Sequence, residues 1–228
     1  DVTLVARVGD DAAADEALAL LRNEGVDLTQ CVALPAIPTG TALIAVAPSG
    51  ENQIVVAPGA NRHLVPDDID IPATDALICQ LEVPVDTVAK AAAEFPGFLA
   101  VNLAPAARID VSVLQRADLV IVNETESAWY GDTLQACNGM VATTRGAGPA
   151  TLEQDGQIIA EANPPVVEAI DATGAGDTFT AALTVALVEG QSPQDALEFA
   201  CAAGAAATTR MGAQPSLPMR EEVTPNGQ

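Results

Sequence analysis

The middle of the chain alternates short apolar runs typical of β-strands with segments that have helical spacing. The strand-like runs are DALICQ, FLAVN and DLVIVN, and the segments between them are VDTVAKAAAEF and DVSVLQRA. Because strands that alternate with helices form parallel sheets, the sequence predicts an α/β fold, a three-layer sandwich with a mainly parallel central sheet and helices on both faces. Ligands in such folds bind at the carboxyl ends of the strands. The polar residues that follow strands are therefore candidates for binding a ligand: Glu82, Asn102, Asn123 and Thr144.

The flanking residues extend this pattern. TALIAVAPSGENQIVVAP predicts a hairpin that turns at PSGEN, and ATLEQDGQIIAE predicts another that turns at QDGQ. Two long helices are expected near the end, one stopping at Gly190 and the next capped by Ser192. The length favours one α/β domain over residues 1–228, or one domain with a small appendage.

The charge of the chain restricts its partners. A formal net charge of −22 makes nucleic-acid backbones and anionic membrane surfaces poor partners, so any anionic ligand must be held by local devices. The acidic composition indicates either adaptation to high salt or a genome that is biased toward Ala, Val and Arg codons. The four cysteines are widely spaced and predict reduced thiols, and no targeting or membrane-spanning run is present, so we expect a cytoplasmic protein.

A glycine turn, DATGAGDTF, precedes the first of the two long helices. Gly174, Ala175 and Gly176 leave the backbone open to a ligand, and a helix that begins near Ala175 would direct free N–H groups and its dipole at the same space. Asp177 could then accept a proton from a hydroxyl while those N–H groups stabilise a transferring phosphoryl group. The spacing fits equally well a tight turn with an acid that complements the helix dipole.

Several segments together resemble the ribokinase-like family of carbohydrate kinases. The segments are GENQIVVAPGAN, QLEVP, NLAPA, VNETE, TRG, DATGAGDTF and TTRMGAQPSLP, and they occur in the order of the family. The resemblance is closest to members that act on ribose. It implies an ATP-dependent sugar kinase that converts D-ribose to D-ribose 5-phosphate by in-line transfer, with Mg²⁺ and K⁺.

The resemblance assigns the reacting groups. Asp177 matches the catalytic base and contacts the sugar hydroxyl that attacks ATP, and Gly174, Ala175 and Gly176 match the anion hole. Glu82 matches a carboxylate that binds sugar hydroxyls.

The resemblance also assigns the nucleotide and magnesium positions. Asn123 and Glu126 match an N-x-x-E motif associated with the nucleotide phosphates and the magnesium shell, although an Asn and a Glu after a strand are also a common helix cap. Thr144 and Gly146 match a loop along the nucleotide. Gly176 and Cys201 complete the implied nucleotide contacts.

A monovalent cation, usually potassium, is implied beside the anion hole. The matching positions are Asp171, Thr173, Ala207, Arg210, Gly212 and Ser216. Most would act through backbone carbonyls, and Arg210 could act in no other way because a guanidinium does not ligate a metal.

The sequence departs from the family at several places. Pro149 stands where a glycine is expected, and only 12 residues separate Gly131 from Thr144. The N-terminal sugar-gripping segment of the family is not matched, and two connections look short, so we expect that residues of a longer chain are omitted. Alternatives are a relative acting on fructose, 2-keto-3-deoxygluconate or a nucleoside, or a non-catalytic sugar- or nucleotide-binding relative. By resemblance, residues about 39–60 form part of a β lid through which two copies form a homodimer.

Overall fold

The computed structural model describes residues 1–46 and 52–223. Within this part the chain divides into two compact units. The first contains Asp1–Ala73 and Glu82–Ala91, and the second contains Thr74–Leu81 and the chain from Ala92 onward. A single domain over the whole chain stays a prediction.

The first unit carries two small sheets. Strands β1 and β2 pair in parallel, and β3 and β4 pair antiparallel, as the hairpin pattern predicts. The expected PSGEN turn falls largely on residues 47–51, which lie outside the described residues. The elements are β1 (Ala6–Gly9), α1 (Ala12–Asn23), β2 (Cys31–Leu34), β3 (Thr41–Val46) and β4 (Asn52–Ala57).

The second unit is built around a six-stranded sheet in the order β10-β9-β8-β7-β6-β5. Strands β5 to β8 are parallel, and β9 and β10 are antiparallel to their neighbours, which confirms a mainly parallel sheet. The strands are β5 (Ala76–Gln80), β6 (Phe98–Asn102), β7 (Leu119–Asn123), β8 (Met140–Arg145), β9 (Gly148–Gln154) and β10 (Gln157–Ala162). The helices are α2 (Val85–Glu94), which includes residues of both units, α3 (Val111–Arg116), α4 (Glu124–Tyr130), α5 (Ala175–Val188) and α6 (Pro193–Ala207).

The core of the second unit explains why β7 is apolar along its whole length. Leu119 and Ile121 pack in one cluster with Phe179 and Leu183 of α5 and with residues of α6. Their neighbours along the strand, which point to the opposite face, are also almost fully buried. A strand that is covered on both faces reads as a continuous apolar run, which is the pattern seen in the sequence.

Three local features differ from the sequence expectations or sharpen them. Strand β5 has the apolar sequence that is typical of a buried strand, but it is the edge strand of the sheet and Ile78 is 42% exposed. Helix α4 was expected only through the alternative interpretation of Asn123 and Glu126 as a helix cap, and it forms the crossover between β7 and β8 together with a short 3₁₀ helix, Gly131–Ala136. The QDGQ turn is confirmed, since Asp155 and Gly156 both have positive φ, as a two-residue hairpin loop requires.

Candidate active site

The N-terminus of α5 is open toward solvent. Gly174 is the N-cap residue with φ 80°, and its position carries no side-chain cap. The N–H of Ala175 donates to Ala172 O at 3.2 Å. The N–H groups of Gly174, Gly176 and Asp177 have no acceptor among the described residues. The available donors of the predicted anion hole are therefore Gly174, Gly176 and the N–H of Asp177 itself, whereas the N–H of Ala175 is already engaged.

Asp177 is the third residue of α5 and lies beside these donors. Burial among neighbouring atoms raises the pKa of its carboxyl above the usual aspartate value, although solvent still reaches the residue. Its carboxylate accepts no hydrogen bond from the described residues. A carboxylate without partners and with a raised pKa is suited to accept a proton.

Asp171 has a different environment from Asp177. Its Oδ1 accepts hydrogen bonds from the N–H and the hydroxyl of Thr173 at 2.9 and 2.6 Å. Its Oδ2 accepts from the N–H of Gly212 at 2.9 Å. These bonds, led by those from Thr173, lower the pKa of the Asp171 carboxyl. Three of the positions implied for the cation are thus linked directly: Asp171, Thr173 and Gly212.

The remaining implied cation positions lie at the end of α6 and in the segment that follows it. Ser216 is fully buried, and its hydroxyl donates to Ala213 O at 2.8 Å. An ideal Cβ on Gly174 would lie 3.4 Å from the Cα of Ala213, so this segment packs against the glycine turn. Ala207 ends α6, and the Arg210 guanidinium bonds to Glu222 at 2.6 Å, which leaves Arg210 only a carbonyl role at the cation.

Asn123 and Glu126 form a capping box at the start of α4. Asn123 Oδ1 accepts from the N–H of Glu126, and Glu126 Oε2 accepts from the N–H of Asn123, each at 2.8 Å. Burial raises the pKa of the Glu126 carboxyl, and the hydrogen bonds from Asn123 oppose that rise. The helix cap that the sequence offered as an alternative is therefore present. One carboxylate oxygen of Glu126 is not used by the cap.

A cavity of about 390 Å³ brings together most of the residues predicted to bind nucleotide. Thr144, Gly146, Gly176 and Cys201 all line it, and Asn123 does not. Burial raises the pKa of the Cys201 thiol to about 11, so it is a neutral, apolar-like wall at physiological pH. The walls are mostly apolar, which suits a flat base rather than a sugar.

Sequence reasoning missed much of this cavity. The missed residues include Pro164, Pro165, Val166, Val167, Ala169, Phe179, Gly204 and Thr208. Val166 is fully exposed beside the opening. The run NPPVV, two prolines and two valines between a strand and the glycine turn, was the available signal because exposed apolar loops mark binding sites.

Pro149, one of the departures from the family, and Glu82, the implied sugar carboxylate, both have defined places in the fold. Pro149 lies on β9 beside a register irregularity between Thr143 and Arg145 of β8, where a proline costs no ladder hydrogen bond. Its carbonyl accepts from the Arg145 guanidinium at 3.0 Å. Glu82, the implied sugar carboxylate, is exposed and belongs to the first unit.

The described residues were also considered as possible ligands of a metal ion and as possible membrane-spanning helices. No group of three or more His, Cys, Asp or Glu side chains is arranged there to hold a metal ion. None of the helices in the described ranges combines the length and apolar character needed to cross a bilayer. All four cysteines are free, as expected.

Comparison with known proteins agrees with the resemblance in the motifs. Residues 1–220 match the family described as pfkB family carbohydrate kinase. A ribokinase from Haemophilus influenzae is 34% identical over 246 residues, which cover 97% of this chain and 79% of that protein.

Solved structures show the same likeness. The crystal structure of a Thermotoga maritima ribokinase matches with a TM-score of 0.88 and 32% identity, covering 97% of this chain and 79% of that one. The structure of an Arabidopsis thaliana ribokinase complexed with ribose and ATP matches with a TM-score of 0.81 and 26% identity, covering 97% and 80%.

Proposed function

The chain belongs to the pfkB family of carbohydrate kinases, and we propose that it phosphorylates D-ribose with ATP to give D-ribose 5-phosphate in the cytoplasm. One observation carries the chemistry. The first turn of α5 places free N–H donors next to Asp177, whose carboxylate has no partner and a raised pKa. The relative from Haemophilus influenzae, at 34% identity, supports ribose as the sugar.

The reaction follows from this arrangement. The Asp177 carboxylate accepts the proton of the sugar hydroxyl, and the hydroxyl oxygen attacks the γ-phosphorus of ATP. The bond between the γ-phosphorus and the bridging oxygen breaks, and ADP leaves. The N–H groups of Gly174, Gly176 and Asp177 stabilise the negative charge on the transferring group. The apolar cavity lined by Cys201 holds the adenine, and Glu82 binds sugar hydroxyls.

Magnesium fits the carboxylate of Glu126. Glu126 keeps one oxygen outside the capping box, and magnesium in kinases is commonly held by one or two carboxylates together with the phosphates of the nucleotide. The bound ion would neutralise phosphate charge.

Potassium fits the oxygen-rich segment around Asp171. The two carboxylate oxygens of Asp171 link the glycine turn to the segment that contains Gly212. A potassium ion bound beside Asp171 would therefore stabilise the glycine turn that carries the anion hole. We expect turnover to rise when potassium replaces sodium at constant ionic strength. Asp171→Asn should reduce this activation, and a rate that does not depend on the cation would contradict the site.

The assembly we propose is a homodimer through the β3–β4 ribbon. Leu43, Val55 and Val56 are exposed on this ribbon at 69%, 65% and 54%. Exposed apolar side chains on a two-stranded ribbon favour burial against a second copy. Analytical ultracentrifugation should give twice the chain mass, and a monomer at micromolar concentration would contradict the dimer.

The substrate is tested by coupled measurement of ADP release over a panel of sugars. The panel contains D-ribose, 2-deoxy-D-ribose, D-fructose, 2-keto-3-deoxygluconate and adenosine, each with Mg-ATP and potassium. We expect the highest kcat/KM with D-ribose and a product whose ³¹P resonance is that of a 5-phosphate. A higher kcat/KM with another compound would replace ribose as the substrate, and ATP binding without turnover on any of them would favour a non-catalytic relative.

A further inference from the structure

Helix α5 contains three buried threonines whose hydroxyls all bond to the backbone of the preceding turn. The hydroxyls of Thr178, Thr180 and Thr184 donate to the carbonyls of Gly174, Gly176 and Thr180 at 2.8, 2.9 and 2.8 Å. All three side chains are at least nine-tenths buried. Threonine has low helix propensity, so three such residues on one buried stretch are not explained by helix formation.

The first two of these hydroxyls reach the glycine turn. Gly174 O accepts both the N–H and the hydroxyl of Thr178, at 2.9 and 2.8 Å. Gly176 O accepts the hydroxyl of Thr180. Because glycine has no side chain to restrict its torsions, peptide units that contain Gly174 and Gly176 can tilt more easily than others. Each hydroxyl therefore adds a restraint to one of these peptide units beyond the main-chain hydrogen bonds of the helix.

The peptide unit between residues 176 and 177 is the important one. A trans peptide is planar, and its C=O and N–H point in opposite directions. In a helix the C=O groups point toward the C-terminus, so the N–H of Asp177 points out of the N-terminal end. A hydroxyl that holds Gly176 O thus fixes the direction of the Asp177 N–H, and it also polarises that group because hydrogen bonds in series strengthen one another.

A contact from α6 completes the support. An ideal Cβ on Gly204 would lie 3.3 Å from Ala175 O, so α6 approaches the first turn of α5 closely at this glycine. The three consecutive peptide units after Gly174 therefore each have a neighbour at the carbonyl, on the side away from the N–H groups. These neighbours are Thr178 at Gly174 O, the α6 backbone at Ala175 O and Thr180 at Gly176 O.

We propose that Thr180 is a positioning residue for phosphoryl transfer, which acts by orienting and polarising the Asp177 N–H through Gly176 O. The inference rests on the proposed kinase function. Thr180 has no contact with sugar or nucleotide in this role. The competing explanation is that the hydroxyl only satisfies itself inside the helix, as the hydroxyl of Thr184 does one turn later.

Thr184 provides the matched control for the first experiment. Thr180→Val and Thr184→Val each remove one hydroxyl bond of nearly equal length from a buried site of the same helix. We expect Thr180→Val to lower kcat about tenfold, less than the loss of a whole donor, with the KM for the sugar unchanged. Thr184→Val should keep kcat within about twofold of the wild-type value. Thr180→Ser, which keeps a hydroxyl, should retain most of the wild-type kcat. Equal kcat losses in the two valine variants, or none in Thr180→Val, would overturn the proposal.

A second measurement does not depend on turnover. In ¹⁵N spectra of the unliganded protein, the Asp177 amide resonance should shift in Thr180→Val and stay in place in Thr184→Val. An unchanged Asp177 amide in Thr180→Val would overturn the positioning role. A wild-type protein that phosphorylates no sugar would overturn the proposed function and the positioning role of Thr180 with it, whereas normal turnover in both wild type and Thr180→Val would overturn the role of Thr180 alone.

Discussion

Helices α4 and α5 begin in opposite ways within the same unit. The first turn of α4 is closed by its own side chains, since Asn123 and Glu126 exchange hydrogen bonds with each other's backbone. The first turn of α5 starts at Gly174 without a side-chain cap, and three N–H groups there have no acceptor among the described residues. Free donors at a helix end are satisfied by water or by a ligand, so the open end of α5 has room for an anion that the closed end of α4 does not have.

The two ends also differ in how they are supported. At α4 the cap faces the donors directly and occupies the space in front of them. At α5 the support comes from behind, through the hydroxyls of Thr178 and Thr180, and the front remains free. A site can therefore be rigid without being filled, which is what preorganised stabilisation of charge requires.

The largest expected effect comes from removing the base at the open end. Asp177→Asn keeps the shape of the side chain but cannot accept a proton, so turnover should fall by about 10³-fold. Stability should be unchanged or higher at neutral pH, because burial disfavours the charged form of Asp177 and the amide is neutral. Steady-state kinetics measures the fall in turnover, and thermal unfolding measures the stability. A variant that turns over at the wild-type rate would remove Asp177 from the mechanism.

The next effect comes from straining the open end. Gly174 has φ 80°, a left-handed conformation that costs other residues about 1–2 kcal/mol. Gly174→Ala should lose that much unfolding free energy, and turnover should fall by about 10²-fold as the donors shift. Gly190→Ala is the matched control, because Gly190 has φ 83° just beyond the other end of α5 with no atom near its ideal Cβ. If both variants lost turnover equally, general destabilisation and not donor placement would be the cause.

Much of the fold could be predicted from the sequence, because apolar periodicity is a local signal. Strands β6 and β7 follow their apolar runs, and the start of α6 follows from Ser192 and Pro193. The apolar pattern did not mark helix α4, because the helix has only seven residues and starts directly at the end of β7. Only the interpretation of Asn123 and Glu126 as a helix cap indicated its start.

The site was less predictable where it depends on distant residues. The bond from the Gly212 N–H to Asp171 joins positions 41 residues apart, and no spacing rule announces it. The engagement of the Ala175 N–H depends on the turn at Ala172, which the glycine pattern does not specify. The glycine motif therefore predicted an anion site but could not say which of its donors are free.

A smaller effect is expected at the closed end, from Glu126→Gln. The amide oxygen can still accept from the Asn123 N–H, so the cap persists, but the negative charge for magnesium is lost. The Mg²⁺ concentration for half-maximal rate should rise several-fold. An unchanged magnesium requirement would restrict Glu126 to capping.

The same variant has a predicted pH dependence. Since the folded pKa of Glu126 is raised above its unfolded value, the unfolding free energy of the wild type should fall as pH rises from the ordinary glutamate pKa through the folded one. Glu126→Gln cannot ionise and should not show this component of the fall. Urea unfolding at a series of pH values measures the difference, and parallel curves for the two proteins would contradict the raised pKa.

The smallest effect tests whether the closed end is only a cap. Asn123→Ala removes the side-chain acceptor for the Glu126 N–H and should lower the unfolding free energy by about 1 kcal/mol, or Tm by about 2–4 °C. Ser192→Ala removes the equivalent acceptor at α6, where the Ser192 hydroxyl caps the Asp195 N–H, so its loss of stability should be similar. If Asn123 also contacts the nucleotide, only Asn123→Ala should raise the KM for ATP, by a few-fold. Equal KM values for ATP in the two variants would show that Asn123 acts only as a helix cap. The N-cap of α4 would then be structural, in contrast to the open N-terminus of α5.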